Sequence, residues 1–306
     1  MKTVILIDAN HLISRTFHVP SFQDLSLEID GRRVFTGATY GFLVSLLKIF
    51  TTYKGTEDKV VVVWDGGRGF RTEISPDYKA NRTTKTEEFL FQLHLTQEFL
   101  RTMGVVQSQV PAVEADDIIG ILAKQARLKG YKVLIISGDK DFNQLVSRFI
   151  NVVNPNMSKD KQDRLMTPET VKELYGVPPE LFVDYLALKG DDTDNVDGVE
   201  GVGNKTAAEL ILANGTIEDM IKANEHFKLD DDGTKTPVSK KLQGKINSSK
   251  SKMELSKKLV KIAVDLNVDL NIDYQKPNFM NLKAMFKKYA FKTLLLRFNE
   301  FVAVFS

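Results

Sequence analysis

Nine carboxylates form the chemically most suggestive pattern in the chain. They fall into five sets: Asp8; Asp65; Glu114, Asp116 and Asp117; Asp139 and Asp141; Asp191 and Asp194. Asp8 and Asp65 each end a short apolar run. Asp116 and Asp117 open a helical pattern just after Glu114. Asp139 and Asp141 follow another apolar run, and Asp191 and Asp194 lie in Lys-Gly-Asp-Asp-Thr-Asp-Asn. Acids at strand ends of one parallel sheet converge on one edge. So many carboxylates in one place cannot all stay ionised without a counter-charge. A divalent metal answers that need, and all-oxygen donors point to Mg²⁺, with Mn²⁺ as a substitute.

The elements needed to position these acids are legible. Val4–Ile7, Lys59–Trp64 and Lys132–Ile136 are continuous β-branched runs, and Gly41–Tyr53 and Glu114–Lys129 have helical patterns between them. Such alternation predicts an α/β fold with a mostly parallel central sheet and helices on both faces. Ligands bind outside the carboxyl ends of such strands, where Asp8, Asp65 and Asp139 fall. A helix start accepts carboxylates through its free N–H groups and dipole. Capping needs one acid, whereas Glu114-Ala-Asp-Asp supplies three in four residues. In Ser137-Gly-Asp-Lys-Asp the two acids flank Lys140 on an extended loop. Asp191 and Asp194, at i and i+3, share a face if the segment turns helically.

Two segments are basic. Arg68–Arg101 mixes Arg68, Arg71, Lys79, Arg82, Lys85 and Arg101 with Phe70, Tyr78, Phe89 and Phe91, and reads as a protruding mobile segment, with a solvated helical pair as the alternative. From Lys235 to Lys261 there are nine lysines and one acid, Glu254; this is either a solvated face or a phosphate-backbone surface. Between them, Gly198–Ala208 has the look of a helix–hairpin–helix turn. Gly201 and Gly203 permit close backbone approach, and a helix beginning near Lys205 aims free N–H groups at an anion. Asp230–Pro237 reads as a loop. Beyond about Thr167 the chain is mostly helical, and its apolar end, Leu282–Phe305, packs back on the body.

Composition narrows the chemistry. The chain has 306 residues, 42% of them hydrophobic, enough for one large domain or two smaller ones. Setting the nine acids aside leaves 31 acidic against 42 basic residues, so a chain that looks neutral is basic around one acidic focus. That distribution suits a polyanion whose scissile group meets metal. With no cysteine, disulfides, thiolate nucleophiles and zinc–thiolate sites are excluded. His11, His18, His94 and His226 lack metal-ligand spacing. The N-terminal apolar run is too short for a signal peptide or membrane span.

Assembled in order, these motifs resemble the 5′-nuclease superfamily, in particular phage flap endonucleases and 5′–3′ exonucleases and the 5′-nuclease domain of bacterial DNA polymerase I. The matching segments are Ile-Asp-Ala-Asn at Asp8, Ala-Thr-Tyr-Gly at Tyr40, Trp-Asp-Gly at Asp65, and Arg71 through Tyr78-Lys79-Ala-Asn-Arg82. Glu114-Ala-Asp-Asp, Ser-Gly-Asp139-Lys-Asp141, Gly190-Asp-Asp-Thr-Asp194-Asn and Gly198-Val-Glu-Gly-Val-Gly-Asn-Lys-Thr-Ala follow. Trp64, Ser137 and Thr193 stand where Phe, Thr and Ser are more usual, and none is a ligand in this scheme.

The resemblance implies a PIN-like core over 1–185 with a helical arch at about 68–101. A helical DNA-binding region would span 186–306, with its hairpin motif at about 190–212. It implies one metal cluster from Asp8, Asp65, Glu114, Asp116 and Asp117 and a second from Asp139, Asp141, Asp191 and Asp194. Lys79, Arg82 and Arg71 would act on the scissile phosphate. Tyr40, Tyr78, Gly198, Gly201, Gly203, Lys205 and Thr206 would contact DNA, with K⁺ near the hairpin. The implied reaction is two-metal hydrolysis of DNA phosphodiesters at 5′ flaps and 5′ ends, with RNA–DNA hybrids as a further substrate. The expected setting is a cytoplasmic monomer (host cytoplasm for a phage protein) in replication or repair, beside replication proteins and away from membranes. A PIN-type ribonuclease and a non-catalytic DNA clamp are the rival readings.

Overall fold

The structure, a computed structural model, describes residues 2–155, 165–223, 227–231, 233–268, 270, 272–273 and 275–305. The expectation for His226 lies outside the described residues. The chain folds as two compact units that interleave along the sequence. The first comprises 1–67, 84–138 and 264–306, and the second 68–83 and 139–263. A single cut at 185/186 does not separate them, and the segment 68–101 is shared, 68–83 with the second unit and 84–101 with the first.

The first unit is built on β1 (Thr3–Asp8), β2 (Ser26–Ile29), β3 (Arg32–Phe35), β4 (Lys59–Trp64), β5 (Val106–Gln109) and β6 (Lys132–Ile136). Its sheet runs β5-β4-β1-β6, with Ile272–Asp273 antiparallel on the outer edge of β5. The four central strands are parallel, and Ile7 lies opposite both Val62 of β4 and Ile136 of β6. Ile5, Leu6 and Ile7 are fully buried, each contributing about 1.5–3 kcal/mol relative to exposure. Trp64 is also buried; its ring stacks on Phe42 and its Nε1–H donates to Gln107 Oε1 at 2.8 Å, as a buried indole requires.

Helices cover both faces. Helix α1 (Ala9–Phe17), α2 (Gly37–Tyr53) and α3 (Glu87–Thr102) pack on one another, and α4 (Ala115–Leu128) lies along β1, β4, β5 and β6. Helix α3 gives the 87–101 part of the segment expected to protrude a packed face. Phe89, Leu93, Leu95, Phe99 and Leu100 are buried, and their helical spacing gives the segment a core face. Strands β2 and β3 form an antiparallel hairpin through Asp30 and Gly31, both at positive φ (50° and 76°), as a two-residue primed turn demands.

The second unit is largely helical: Phe182–Lys189, Asn204–Asn214, Lys240–Ser248 and Lys250–Val260 are its main helices. The stretch expected as a loop is instead a hairpin, Lys228–Asp231 paired antiparallel with Thr234–Pro237. Thr234–Pro237 is exposed throughout, so it carries none of the apolar alternation by which a strand is read.

Candidate nuclease site

In the first unit the strand ends deliver the acids as parallel pairing requires. Asp8 closes β1 and Asp65 follows β4 by one residue. Asp8 Oδ1 accepts from His11 N at 3.0 Å, capping α1, and Oδ2 accepts from the Ser137 hydroxyl at 2.8 Å. Asp65 is tied to the loop that leads into Glu114. Gly66 N donates to Val113 O, and Ala112 N donates to Gly66 O. A side chain at Gly66 would lie 1.8 Å from Val110 O, so only glycine permits this docking. Glu114 caps α4 without a side-chain cap bond, and Asp116 and Asp117 sit in its first turn. Asp8, Glu114 and Asp117 are buried.

In the second unit, Asp141, Asp191 and Asp194 each offer a carboxylate oxygen, and the three atoms lie within 4.8 Å of one another. Among the described residues no other trio of acids or histidines is drawn this close. Asp139 is not in the trio. It caps the 3₁₀ turn Lys140–Leu145, which replaces the expected extended loop, and accepts from Asp141 N at 2.9 Å. Asp191 caps a second 3₁₀ turn, Asp192–Asp194, which puts Asp191 and Asp194 on a common face.

Burial pushes the Asp141 carboxyl well above the usual range, and Asp139, Asp191 and Asp194 push the same way against Lys140. For Asp191 burial also opposes ionisation, yet the hydrogen bond and charge of Lys140 outweigh it and hold the carboxyl low. Lys140 Nζ lies 2.6 Å from Asp191 Oδ2 and 3.6 Å from Asp141 Oδ1. Asp141 Oδ1 is buried and accepts no hydrogen bond. A buried acceptor of this kind, in a three-carboxylate cradle, fits a hard divalent cation.

The segment 77–82 docks on the Asp192–Asn195 turn through backbone and side-chain amides. Lys79 N donates to Asp194 O at 2.9 Å, Asn81 Nδ2 to Asp192 O at 2.8 Å, and Asn195 Nδ2 to Asp77 O at 2.7 Å. Lys79 adopts φ 54°, a left-handed conformation that costs a non-glycine residue energy. Its ammonium lies 3.4 Å from Asp194 Oδ2, and Arg82 reaches Asp194 Oδ1 at 2.5 Å. The Tyr78 hydroxyl is 3.4 Å from Asp194 Oδ2 and its ring is buried.

Arg71 is placed differently from its expected companions. Its side chain is buried, and its guanidinium donates to Leu259 O at 2.9 Å and Lys261 O at 2.7 Å. In the first unit Tyr40 is half-buried, edge-on to Phe22 and Phe291.

The turn at 198–203 leads into helix Asn204–Asn214. Gly203 caps that helix without a side-chain bond and faces open space. Gly201 is at φ 82°. Gly198 packs so closely that a Cβ would meet Lys189 O at 2.2 Å. Lys205 is exposed and pairs with Glu209, and Thr206 is half-buried beside it.

The family description "5′-3′ exonuclease, N-terminal resolvase-like domain" matches residues 3–176, and "5′-3′ exonuclease, C-terminal SAM fold" matches 177–282. The chain belongs to the 5′-3′ exonuclease family. Thermostable DNA polymerase I of Thermus thermophilus is 36% identical over 298 residues, covering 97% of this chain and 33% of the polymerase. The chain spans about a quarter to a third of the length of the curated relatives it matches. Bacteriophage T5 5′-exonuclease, solved with zinc bound, superposes at TM-score 0.66 with 21% identity over all of both chains. The T5 flap endonuclease, solved with DNA and metal ions, gives 0.65 with 21% identity and covers 99% of each. These likenesses establish the mixed α/β resolvase-type fold with its helical C-terminal part.

Sequence reasoning passed over several residues of this exonuclease-family site. Ser137 holds Asp8, Lys140 bridges Asp141 and Asp191, Asn10 accepts from Asp65 N at 2.9 Å, and Asn81 and Asn195 fasten the Lys79 segment. Ser137 and Lys140 sit inside the quoted Ser-Gly-Asp-Lys-Asp motif, which was the available signal.

Proposed function

We propose that this chain is a structure-specific 5′ nuclease that hydrolyses DNA phosphodiesters at 5′ flaps and 5′ ends in a divalent-metal-dependent reaction. The observation that carries the reading is the cradle of Asp141, Asp191 and Asp194 with Lys79 and Arg82 on one of its carboxylates. A non-catalytic DNA binder has no use for buried acids facing phosphate. Family membership and the T5 enzymes solved with metal and DNA support the same reading.

Asp141, Asp191 and Asp194 would hold one metal, with Asp139 beside them. Asp8, Asp65, Glu114, Asp116 and Asp117 would serve the other. Bound Mg²⁺ supplies Lewis acidity and makes water nucleophilic at neutral pH. The remaining work belongs to the protein. Lys79 and Arg82 exchange Asp194 for the scissile phosphate and offset its developing charge. Arg71 acts at a distance, by fixing the segment that carries them. The 198–206 turn binds a duplex phosphate through helix N–H groups and Lys205, with K⁺ beside it, and orients without reading bases. Tyr40 belongs to the same DNA surface in this reading.

The same reading makes the chain a cytoplasmic monomer that meets replication proteins on DNA, and adds RNA–DNA hybrids to its substrates. No helix among the described residues is long and apolar enough to cross a membrane.

Labelled flap, nicked, single-stranded and hybrid substrates, with and without Mg²⁺, test the proposal. Metal-dependent release from 5′ flaps is expected, with Asp141→Asn losing cutting but keeping duplex binding. Lys79→Ala should slow cutting roughly 10²–10³-fold. Cutting retained in Asp141→Asn, or on no substrate at all, sinks the proposal.

A further inference from the structure

The lysine-rich helices Lys240–Ser248 and Lys250–Val260 border the 198–203 turn. Lys245 Nζ lies 2.8 Å from Glu200 Oε1 and 3.6 Å from where a Cβ on Gly201 would stand. Lys252 Nζ lies 2.9 Å from Asp197 Oδ2. Ser256 Oγ donates to Asp197 O at 2.6 Å, fixing the second helix to the start of the turn. Lys241 and Lys245, at i and i+4, share one helix face. The helices bury Ile246, Met253, Leu259 and Val260 instead, so the lysines are left at the rim.

Glu200 and Asp197 are largely exposed, at 86% and 78%. A carboxylate there gains little from solvent-screened pairing, yet it sits on the element expected to receive phosphate. The Lys245 hydrogen bond, and then the charges of Lys245, Lys241 and Lys252, hold the Glu200 carboxyl below its usual range. Lys245 and Lys252 thus each face an acid of the 197–200 stretch, with Lys241 one helical turn before Lys245. A carboxylate oxygen 2.8 Å from an ammonium is placed as a phosphate oxygen would be.

We propose that Lys241, Lys245 and Lys252 form a second strip for the phosphate backbone of duplex DNA, continuous with the 198–203 turn. Glu200 and Asp197 occupy that strip in the free protein and yield it when the duplex arrives. The proposal rests on the nuclease reading above and extends it to two helices beyond the 198–203 turn. Duplex DNA fits because the strip lies beside a turn whose helix N-terminus already faces outward, so successive phosphates meet both. The exchange of carboxylate for phosphate lowers net affinity, which favours release after cutting.

Anisotropy of a labelled blunt duplex in EDTA, where no cutting occurs, reads the strip directly. Lys245→Ala and Lys252→Ala should each weaken binding several-fold and make the slope of log K against log salt shallower by about 1. Lys245→Arg should bind as the parent does. Glu200→Gln should bind more tightly, and it changes only an exposed side chain. Alanine variants with unchanged affinity and slope, while the parent binds, overturn the strip and leave the nuclease reading standing. Unchanged binding by Glu200→Gln overturns the exchange. A parent protein that binds no duplex overturns the nuclease reading itself.

Discussion

The ammonium nitrogen of Lys140 lies 2.6 Å from a carboxylate oxygen of Asp191, inside the proposed metal cradle. Lys140 is thus an internal counter-ion for acids that a divalent cation would also neutralise. Lys140→Met should lower the stability of the metal-free protein by about 1–3 kcal/mol, because Asp191 loses a charged donor in a buried setting. The same variant should bind Mn²⁺ more tightly, since no ammonium competes. Calorimetric titration with Mn²⁺ and thermal unfolding in EDTA measure the two effects; weaker Mn²⁺ binding would contradict the counter-ion role.

Arg71 should matter for folding before it matters for chemistry. Its bonds to Leu259 O and Lys261 O cap the carbonyl end of helix Lys250–Val260. Arg71→Ala should cost about 2–4 kcal/mol, and Arg71→Lys should recover little, because an ammonium cannot reproduce a planar fork. Urea unfolding checks this. A variant with parental stability and no cutting would return Arg71 to direct contact with phosphate.

Ser137 donates to Asp8, a carboxylate of the proposed metal edge. Ser137→Ala should cost roughly 10–100-fold in metal affinity or cutting rate, the usual penalty for losing an outer hydrogen bond at a metal site. Ser137→Thr keeps the hydroxyl and should retain activity. Rates measured across a Mg²⁺ series distinguish the two variants.

Acid stability should respond to the two acids that meet at Lys257. Lys257 Nζ lies 2.5 Å from both Asp184 and Glu218. The Lys257 hydrogen bond is the leading reason that the Glu218 carboxyl lies below its ordinary 4.5. A depressed carboxyl stabilises the fold fully above its unfolded value and loses that contribution as pH falls through its folded value. Melting temperatures of parent and Glu218→Gln should therefore differ near neutrality and converge in acid. A constant gap down to pH below about 3 would contradict the linkage.

The sheet and the acids at its edge were legible because both follow from local rules. Lys132–Ile136 reads as a buried strand from its residues alone, and parallel pairing fixes which end carries the acid. Glu114-Ala-Asp-Asp reads as a helix start for the same reason. Helix α3 was obscured because the basic run from Arg68 to Lys85 dominates its neighbourhood, although Phe89, Leu93, Thr96 and Leu100 keep helical spacing. Burial of Phe89 and Tyr78 also takes two aromatics of that segment into the packed structure. The β2–β3 hairpin was announced by Asp30-Gly31, a strong turn dipeptide, but its strands are short and half exposed. Arg71, Ser137 and Lys140 could not be assigned from sequence. Each role depends on a partner 51 or more residues away, and spacing says nothing about such pairs.

Asp8 ends a strand, caps a helix and belongs to the proposed catalytic edge. Asparagine caps a helix about as well as aspartate, while most other residues do not. Heritable loss of cutting at this position therefore has gentle routes, asparagine and serine, which keep the cap and leave an intact DNA binder that can obstruct its active siblings. A residue that cannot cap also weakens the start of α1, so the defective protein tends to be removed before it can compete.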